Sequence, residues 1–319
     1  MLISLEGRFC KLAPNKNKSL FKKQKINLAT AIIHKKSVLL RLQSNIMKQY
    51  NNIRDWVEDL PKQGKITFSK AEVDMQFPNL TNRNIMNTLN RLVIKKKIQS
   101  VWRDFWVVVP VEYGLRGVVD PIEYIIQLMN FLGKKYYVGL LSAAAFHGAA
   151  HQQPMELMII ADTNHLRDKI KNDVKISFAG KKNIPQHYLQ EITGKSGYIP
   201  ISTPELTAID LLMYAKNVGG INRIATVLSE LAEVIDFEKI SFDFFQNVHI
   251  SDVQRLGYLL DLLEFNEIAN SLYKKTIDAN LKFRKYPLCI KRNKTKLSEL
   301  PFDAKWKIII NEEIDIDEL

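Results

Sequence analysis

Cysteine is scarce: Cys10 and Cys289 are the only two in 319 residues. They are too few to build a disulfide framework or a thiolate metal cluster, which points to a reducing, intracellular compartment. Long apolar runs are missing as well. The stretch "LATAIIHKKSVLL" is interrupted by His34, Lys35 and Lys36, short of the roughly 20 apolar residues a membrane-spanning helix needs. The first residues also lack the charged-then-apolar order of a secretory signal. Acidic groups are nearly absent from positions 1–45, where ten basic residues face only Glu6.

Recognisable catalytic patterns are absent too. No G-x-S-x-G elbow occurs, and neither cysteine has a neighbouring His to activate a thiolate. "HGAAH" sets His147 and His151 at zinc-helix spacing, but Gly148 stands where the zincin pattern needs Glu. "LQEITGKS" ends like a phosphate-cradling loop, with Gly194, Lys195 and Ser196. Leu189 occupies the place of the first glycine and would block the tight turn, so a surface turn is expected. Asp162, Asp168 and Asp173 lie among Lys and Arg, the pattern of a solvated surface. These absences argue against an enzyme and against a metal or other cofactor.

What is present is an uneven distribution of charge. The net +12 resides in the N-terminal third: residues 46–112 carry eleven basic groups against seven acidic, whereas the last 207 residues carry 25 against 26. Attraction to a polyanion is therefore expected of the N-terminal third.

Within it, "NRNIMNTLNRLVIKKK" (82–97) is unusual in holding four asparagines in its first nine positions. Ile85, Leu89, Leu92 and Val93 form one stripe at helical spacing. Opposite it fall Arg83, Asn84, Asn87, Asn90 and Arg91. Four Asn cost roughly 2–3 kcal/mol of helix propensity relative to Ala. Reading of base edges would offset this, because Asn pairs with adenine through two atoms and Arg with guanine. Against that stands a chain that simply favours Asn and Lys, with 34 Lys to 12 Arg.

The neighbouring pattern favours the first reading. Ile46, Tyr50, Ile53, Val57 and Leu60 predict a helix ending before Pro61. "KITF" reads as a short strand, and "SKAE" places Ser69 and Glu72 as a capping box for a helix ending before Pro78. Thr81 caps the Asn-rich helix, and "KIQSVWRDFWVVVP" reads as two strands around a turn at Arg103 and Asp104. Helix, strand, helix, helix, hairpin is the order of a winged helix-turn-helix, with 82–95 as recognition helix and 98–109 as wing. The expected core comprises the 46–60 and 85–93 stripes, Ala71, Val73, Met75 and Trp102 or Trp106. Lys95, Lys96 and Lys97 then lie near the wing, placed to meet phosphates.

Beyond Pro110 the pattern becomes α+β. Asp120, Pro121 and Glu123 open a helix ended by Gly133, and "YYVGLLSAAAFHGAA" predicts a helix of small residues. Strands are expected at "ELMIIA", "VKISF" and "YIPIS". Helices follow at "STPELTAIDLLMYAKNVGG", "INRIATVLSELAEV", "SDVQRLGYLLDLLEF" and "NEIANSLYKKTIDANL", with a late strand at "WKIII". The expected fold is thus α+β with two domains: a basic extension at 1–45, a winged helix-turn-helix at 46–112, and a mixed α+β domain at 113–319 whose later half is helix-rich.

Five blocks of the second domain, "YYVGLLSAAAFHGAAHQQP", "ISTPELTAIDLLMY", "GGINRIATVLSELAE", "VQRLGYLLDLL" and "WKIIINEEID", resemble in content and order the AbiEi family of antitoxins. That family belongs to type IV toxin–antitoxin and phage abortive-infection systems. The resemblance covers residues 46–319 and leaves out 1–45. It implies a bacterial, cytoplasmic protein whose winged helix binds inverted repeats in double-stranded DNA at its own promoter and represses its operon. It further implies a C-terminal domain that opposes a neighbouring nucleotidyltransferase-like toxin, with no lasting complex assumed. By match to helix and wing, Asn82, Arg83, Asn84, Asn87 and Arg91 take the base-reading role, and Lys95 and Arg103 the phosphate contacts. No antitoxin residues carry over. A repressor that senses a small ligand is the competing reading.

Overall fold

The computed structural model describes residues 50–114, 117–149, 156–163, 165–171, 174–290 and 296–315. The chain divides into residues 1–51 and residues 52–319. The expected basic extension at 1–45, with Cys10, lies outside the described residues, as do His151 and Asp173.

The second unit opens at Asn52. Its side chain accepts a hydrogen bond from the Asp55 amide at 2.9 Å and so caps helix α1 (Ile53–Asp59). This cap places the start of the helix at Ile53, later than the periodicity from Ile46 suggests. Strand β1 (Thr67–Ser69) leads into α2 (Lys70–Gln76), whose capping box pairs Ser69 and Glu72 as expected. The helix stops at Gln76, directly before Phe77-Pro78, where the proline disfavours another turn. Thr81 accepts from the Asn84 amide and starts α3 (Asn82–Ile94).

Strands β2 (Ile98–Trp102) and β3 (Phe105–Val108) pair antiparallel across the two-residue turn Arg103-Asp104, in which Asp104 takes φ 61°. Strand β1 joins on the other side, giving the order β1-β3-β2. Trp56, Phe68, Trp106 and Phe77 fill the core between the helices and this sheet; the Trp56 and Phe68 rings meet edge-on at 5.2 Å and Phe68 stacks on Trp106 at 5.7 Å. Ile53, Val57, Leu60, Val73, Ile85, Leu89, Leu92 and Ile98 complete it. Two expected core residues are not in it: Ala71 is exposed, and Met75 is 66% exposed. In so short a helix the faces 71/75 and 73/77 are both apolar, and the Phe77 ring decides for the second. Of the two tryptophans, Trp106 is buried and Trp102 half-buried.

After α4 (Ile125–Leu132), ended by Gly133 at φ 63°, comes a mixed six-stranded sheet. Its order is β6-β7-β5-β4-β9-β8, from β4 (Tyr136–Val138), β5 (Glu156–Ala161), β6 (Lys169–Lys171), β7 (Val174–Gly180), β8 (Leu189–Gly194) and β9 (Gly197–Ser202). The predicted helix from Tyr136 is therefore split: "YYV" is β4, and only Leu140–Phe146 is helical (α5). Strand alternation explains this, since Tyr137 faces one side of the sheet and Val138 the other.

One face, with Val138, Leu157, Ile159, Ala161 and Ile176, packs against α4 and against Phe105 and Val107 of β3. The small sheet therefore shares a core with the large one. The other face, with Tyr137, Met158 and Ile160, is covered by α6 (Pro204–Met213), α7 (Ile221–Leu231), α8 (Ile250–Leu262) and α9 (Asn266–Asp278). Strands-then-helices is thus the observed arrangement of this half. The edge strands β6 and β8 were not anticipated. "WKIII" contributes only a two-residue strand, β12 (Ile308–Ile309), between β10 (Tyr286–Pro287) and β11 (Phe302–Asp303).

Candidate nucleic-acid interface

Helix α3 is two-sided. Ile85, Leu89 and Leu92 are buried, whereas Asn82, Arg83, Asn84, Asn87, Asn90, Arg91 and Lys95 are all exposed. At about 100° per residue, Arg83, Asn87 and Arg91 form a single outward row. Their side chains make no ion pair or side-chain hydrogen bond with any described residue. The basic residues of α1 and α2 differ: Arg54 pairs with Glu58 at 3.0 Å, and Lys70 with Asp74. Helix α3 contains no acidic residue, so no carboxylate of its own pairs with its cations.

The C-terminal end of α3 adds three lysines. Lys95 caps the helix and Lys96 takes φ 54°, turning the chain toward β2. The aliphatic stem of Lys96 crosses Gly117, at φ 68°, where a Cβ would lie 2.7 Å from its Cδ. The left-handed backbone at that position favours glycine. The hairpin turn carries Arg103, whose side chain is 93% exposed with Nε 3.6 Å from Asp104. A pair so exposed is worth little and leaves the guanidinium free to exchange partners. Just behind it, the Lys169 ammonium lies 4.5 Å above the Trp102 ring, and Trp102 meets Phe178 edge-on at 6.0 Å. The second sheet thereby holds the base of the hairpin.

All seven residues expected from the sequence thus lie on α3, at its C-cap or at the hairpin turn, and all are exposed. Ile94, 80% exposed on the same helix, was not among them.

The other singled-out motifs fall elsewhere. Lys195 and Ser196 form the tight β8–β9 turn, with Lys195 paired to Glu123 at 3.1 Å. His147 ends α5, and its Nε2 lies 2.7 Å from the Ser202 carbonyl oxygen. Asp168 is no loose surface carboxylate, because it accepts from the Phe178 amide at 3.0 Å and from the Ser177 hydroxyl. Asp162 is half-buried, with Oδ1 unpartnered. Among the described residues no group of His, Cys, Asp and Glu is placed to hold a metal ion. No described helix is long and apolar enough to cross a membrane.

Sequence reasoning missed a buried charge cluster. Lys181 Nζ lies 2.7 Å from Asp210 Oδ1, and the Tyr137 hydroxyl donates to Oδ2 at 2.6 Å, with both charged side chains essentially inaccessible. Burial pushes the Asp210 carboxyl above its usual value, although Lys181 and Tyr137 pull the other way. Burial and the adjacent carboxylate likewise raise Tyr137. Sealed between sheet and α6, this triad joins elements rather than meeting a substrate. The only hint in the sequence is a lone Asp within the apolar run "TAIDLL".

By architecture the molecule is a mixed α+β protein with a small three-stranded platform packed on a helix-covered six-stranded sheet. Residues 137–262, from β4 to the end of α8, match the family model of the AbiEi antitoxin C-terminal domain. No curated protein matches the chain. The crystal structure of the RV2827C protein from Mycobacterium tuberculosis has a TM-score of 0.58 at 14% identity, over 83% of this chain and 94% of that one, a likeness of fold alone. An antigenic nucleotidyltransferase-like protein from Paracoccidioides brasiliensis has a TM-score of 0.30 at 10% identity, over 48% of this chain and 90% of that one, and carries no argument.

Proposed function

We propose that this protein is the antitoxin of a type IV toxin–antitoxin system and represses its own operon. Residues 46–112 serve as a winged helix-turn-helix on double-stranded DNA, with α3 as recognition helix and β2–β3 as wing. Asn82, Arg83, Asn84, Asn87 and Arg91 read base edges, while Lys95 and Arg103 hold phosphates of inverted repeats at the promoter. Residues 113–319 counteract a nucleotidyltransferase-like toxin in the cytoplasm, with no stable complex required.

One observation carries this reading. A segment that matches an antitoxin domain is joined to a helix whose outward face is mainly amide and guanidinium, free of acid and of side-chain partners among the described residues.

The test uses the full chain, because Phe105 and Val107 belong to a core shared by both halves. An Arg83→Ala/Asn87→Ala double variant is compared with wild type for repression of a reporter driven by its own promoter, and for rescue of growth beside the neighbouring toxin. The expected outcome is lost repression with retained rescue. Retained repression removes the recognition helix from the account. Repression by the wild type without rescue points instead to a ligand-sensing repressor.

A further inference from the structure

Ile94 is 80% exposed, whereas its neighbour Val93 is half-buried. At about 100° per residue, Arg83, Asn87 and Ile94 fall within roughly 40° of one another, directly opposite the buried Ile85, Leu89 and Leu92. Ile94 therefore belongs to the outward ridge and not to the margin of the core. Its chain neighbours on the surface are Asn90, Arg91, Lys95, Lys96 and Lys97, and no acidic residue lies in α3 or in the lysine run.

A single apolar side chain ringed by cations does not suit a protein partner that buries an apolar patch, nor a second copy of the same basic helix. It suits a polyanion with an apolar point on its groove floor. The thymine 5-methyl group in the major groove is such a point. The geometry allows it: from Arg83 to Ile94 is about 16 Å along the helix at roughly 1.5 Å per residue, or about five base pairs at roughly 3.4 Å each.

Resting on the reading of α3 as a recognition helix, we propose that Ile94 is a specificity residue that reads a thymine methyl group at one end of the half-site. Arg83 and Asn87 read base edges toward the other end.

The experiment first selects duplexes from a random-sequence pool with the full-length protein. In the enriched duplex, each thymine is then replaced singly by deoxyuridine, which lacks only the methyl group. One replacement is expected to weaken wild-type binding by about four-fold, the worth of one methyl group taken from water. Ile94→Ala is expected to bind the thymine and uracil forms of that position alike, with unchanged thermal unfolding. Three results overturn the assignment: wild-type indifference to every replacement, an Ile94→Ala variant that keeps the thymine preference, or a change of oligomeric state on Ile94→Ala without DNA. If Arg83→Ala and Asn87→Ala still lose affinity for the duplex, the recognition helix survives that failure. If they bind as wild type does, or if no duplex is enriched, the recognition-helix reading falls first.

Discussion

Lys181→Met is expected to destabilise the protein by about 3–5 kcal/mol at neutral pH, because it keeps the side-chain volume but leaves a buried carboxylate without its cation. The 2.7 Å contact to Asp210 is lost, and the Tyr137 hydroxyl remains as that group's hydrogen-bond donor. The sign of the pH dependence follows from Asp210. Its folded-state pKa already stands above the ordinary carboxylate value through burial, and removing Lys181 raises it further. A group raised in the folded state supports stability below its unfolded pKa and loses that support as pH rises through the folded value. The deficit of Lys181→Met is therefore largest at pH 7 and shrinks toward pH 4, by up to about 1.4 kcal/mol per pH unit. Urea unfolding of variant and wild type at pH 7 and pH 5 measures it. The triple change Lys181→Met/Asp210→Leu/Tyr137→Phe removes both charges and the orphaned hydroxyl, and should recover most of the loss. A deficit below about 1 kcal/mol, or one equal at both pH values, would show that the pair is not buried and charged as described.

Other expectations concern stability. Ser69→Ala removes the capping box of α2 and should cost about 1 kcal/mol in urea unfolding. Gly257→Ala should destabilise by about 1–3 kcal/mol despite the better helix propensity of alanine, because a Cβ there would lie 2.3 Å from the buried Trp306 ring. Tryptophan fluorescence should shift with it; an increase in stability refutes the packing. Phe105→Ala should cost about 3–5 kcal/mol and lower the unfolding midpoint of the platform and of the large sheet together, since Phe105 lies in their common core and meets Phe131 at 5.0 Å. Two separate transitions would contradict this.

Features decided within four residues were legible in the sequence. The Ser69 and Thr81 caps, the stop before Pro78, the Arg103-Asp104 turn and the outward row Arg83, Asn87, Arg91 all follow from local spacing. Features decided by distant partners were not. Strand β4 reads as helix until β5 and β9 pair with it, and the edge strands β6 and β8 have few buried side chains to mark them. The Lys181–Asp210 pair joins residues 29 apart, and neither residue type suggests burial. Ile94 lies off the Ile85, Leu89, Leu92 and Val93 stripe by spacing alone, but an apolar residue draws no notice among amides and cations until its exposure is seen. In α2, seven residues offered two apolar faces, and the sequence did not rank them.

The proposed reading of DNA by the outward face of α3 is tested most directly by titrating wild type, Arg83→Ala, Asn87→Ala and Lys95→Ala onto the protein's own promoter and onto a scrambled duplex over a range of salt. Arg83→Ala and Asn87→Ala are expected to lose about 1–3 kcal/mol each on the promoter and little on the scrambled duplex. Lys95→Ala should weaken both and reduce the salt slope by about 0.9. Promoter binding and salt slopes identical to wild type in all three variants would contradict the account.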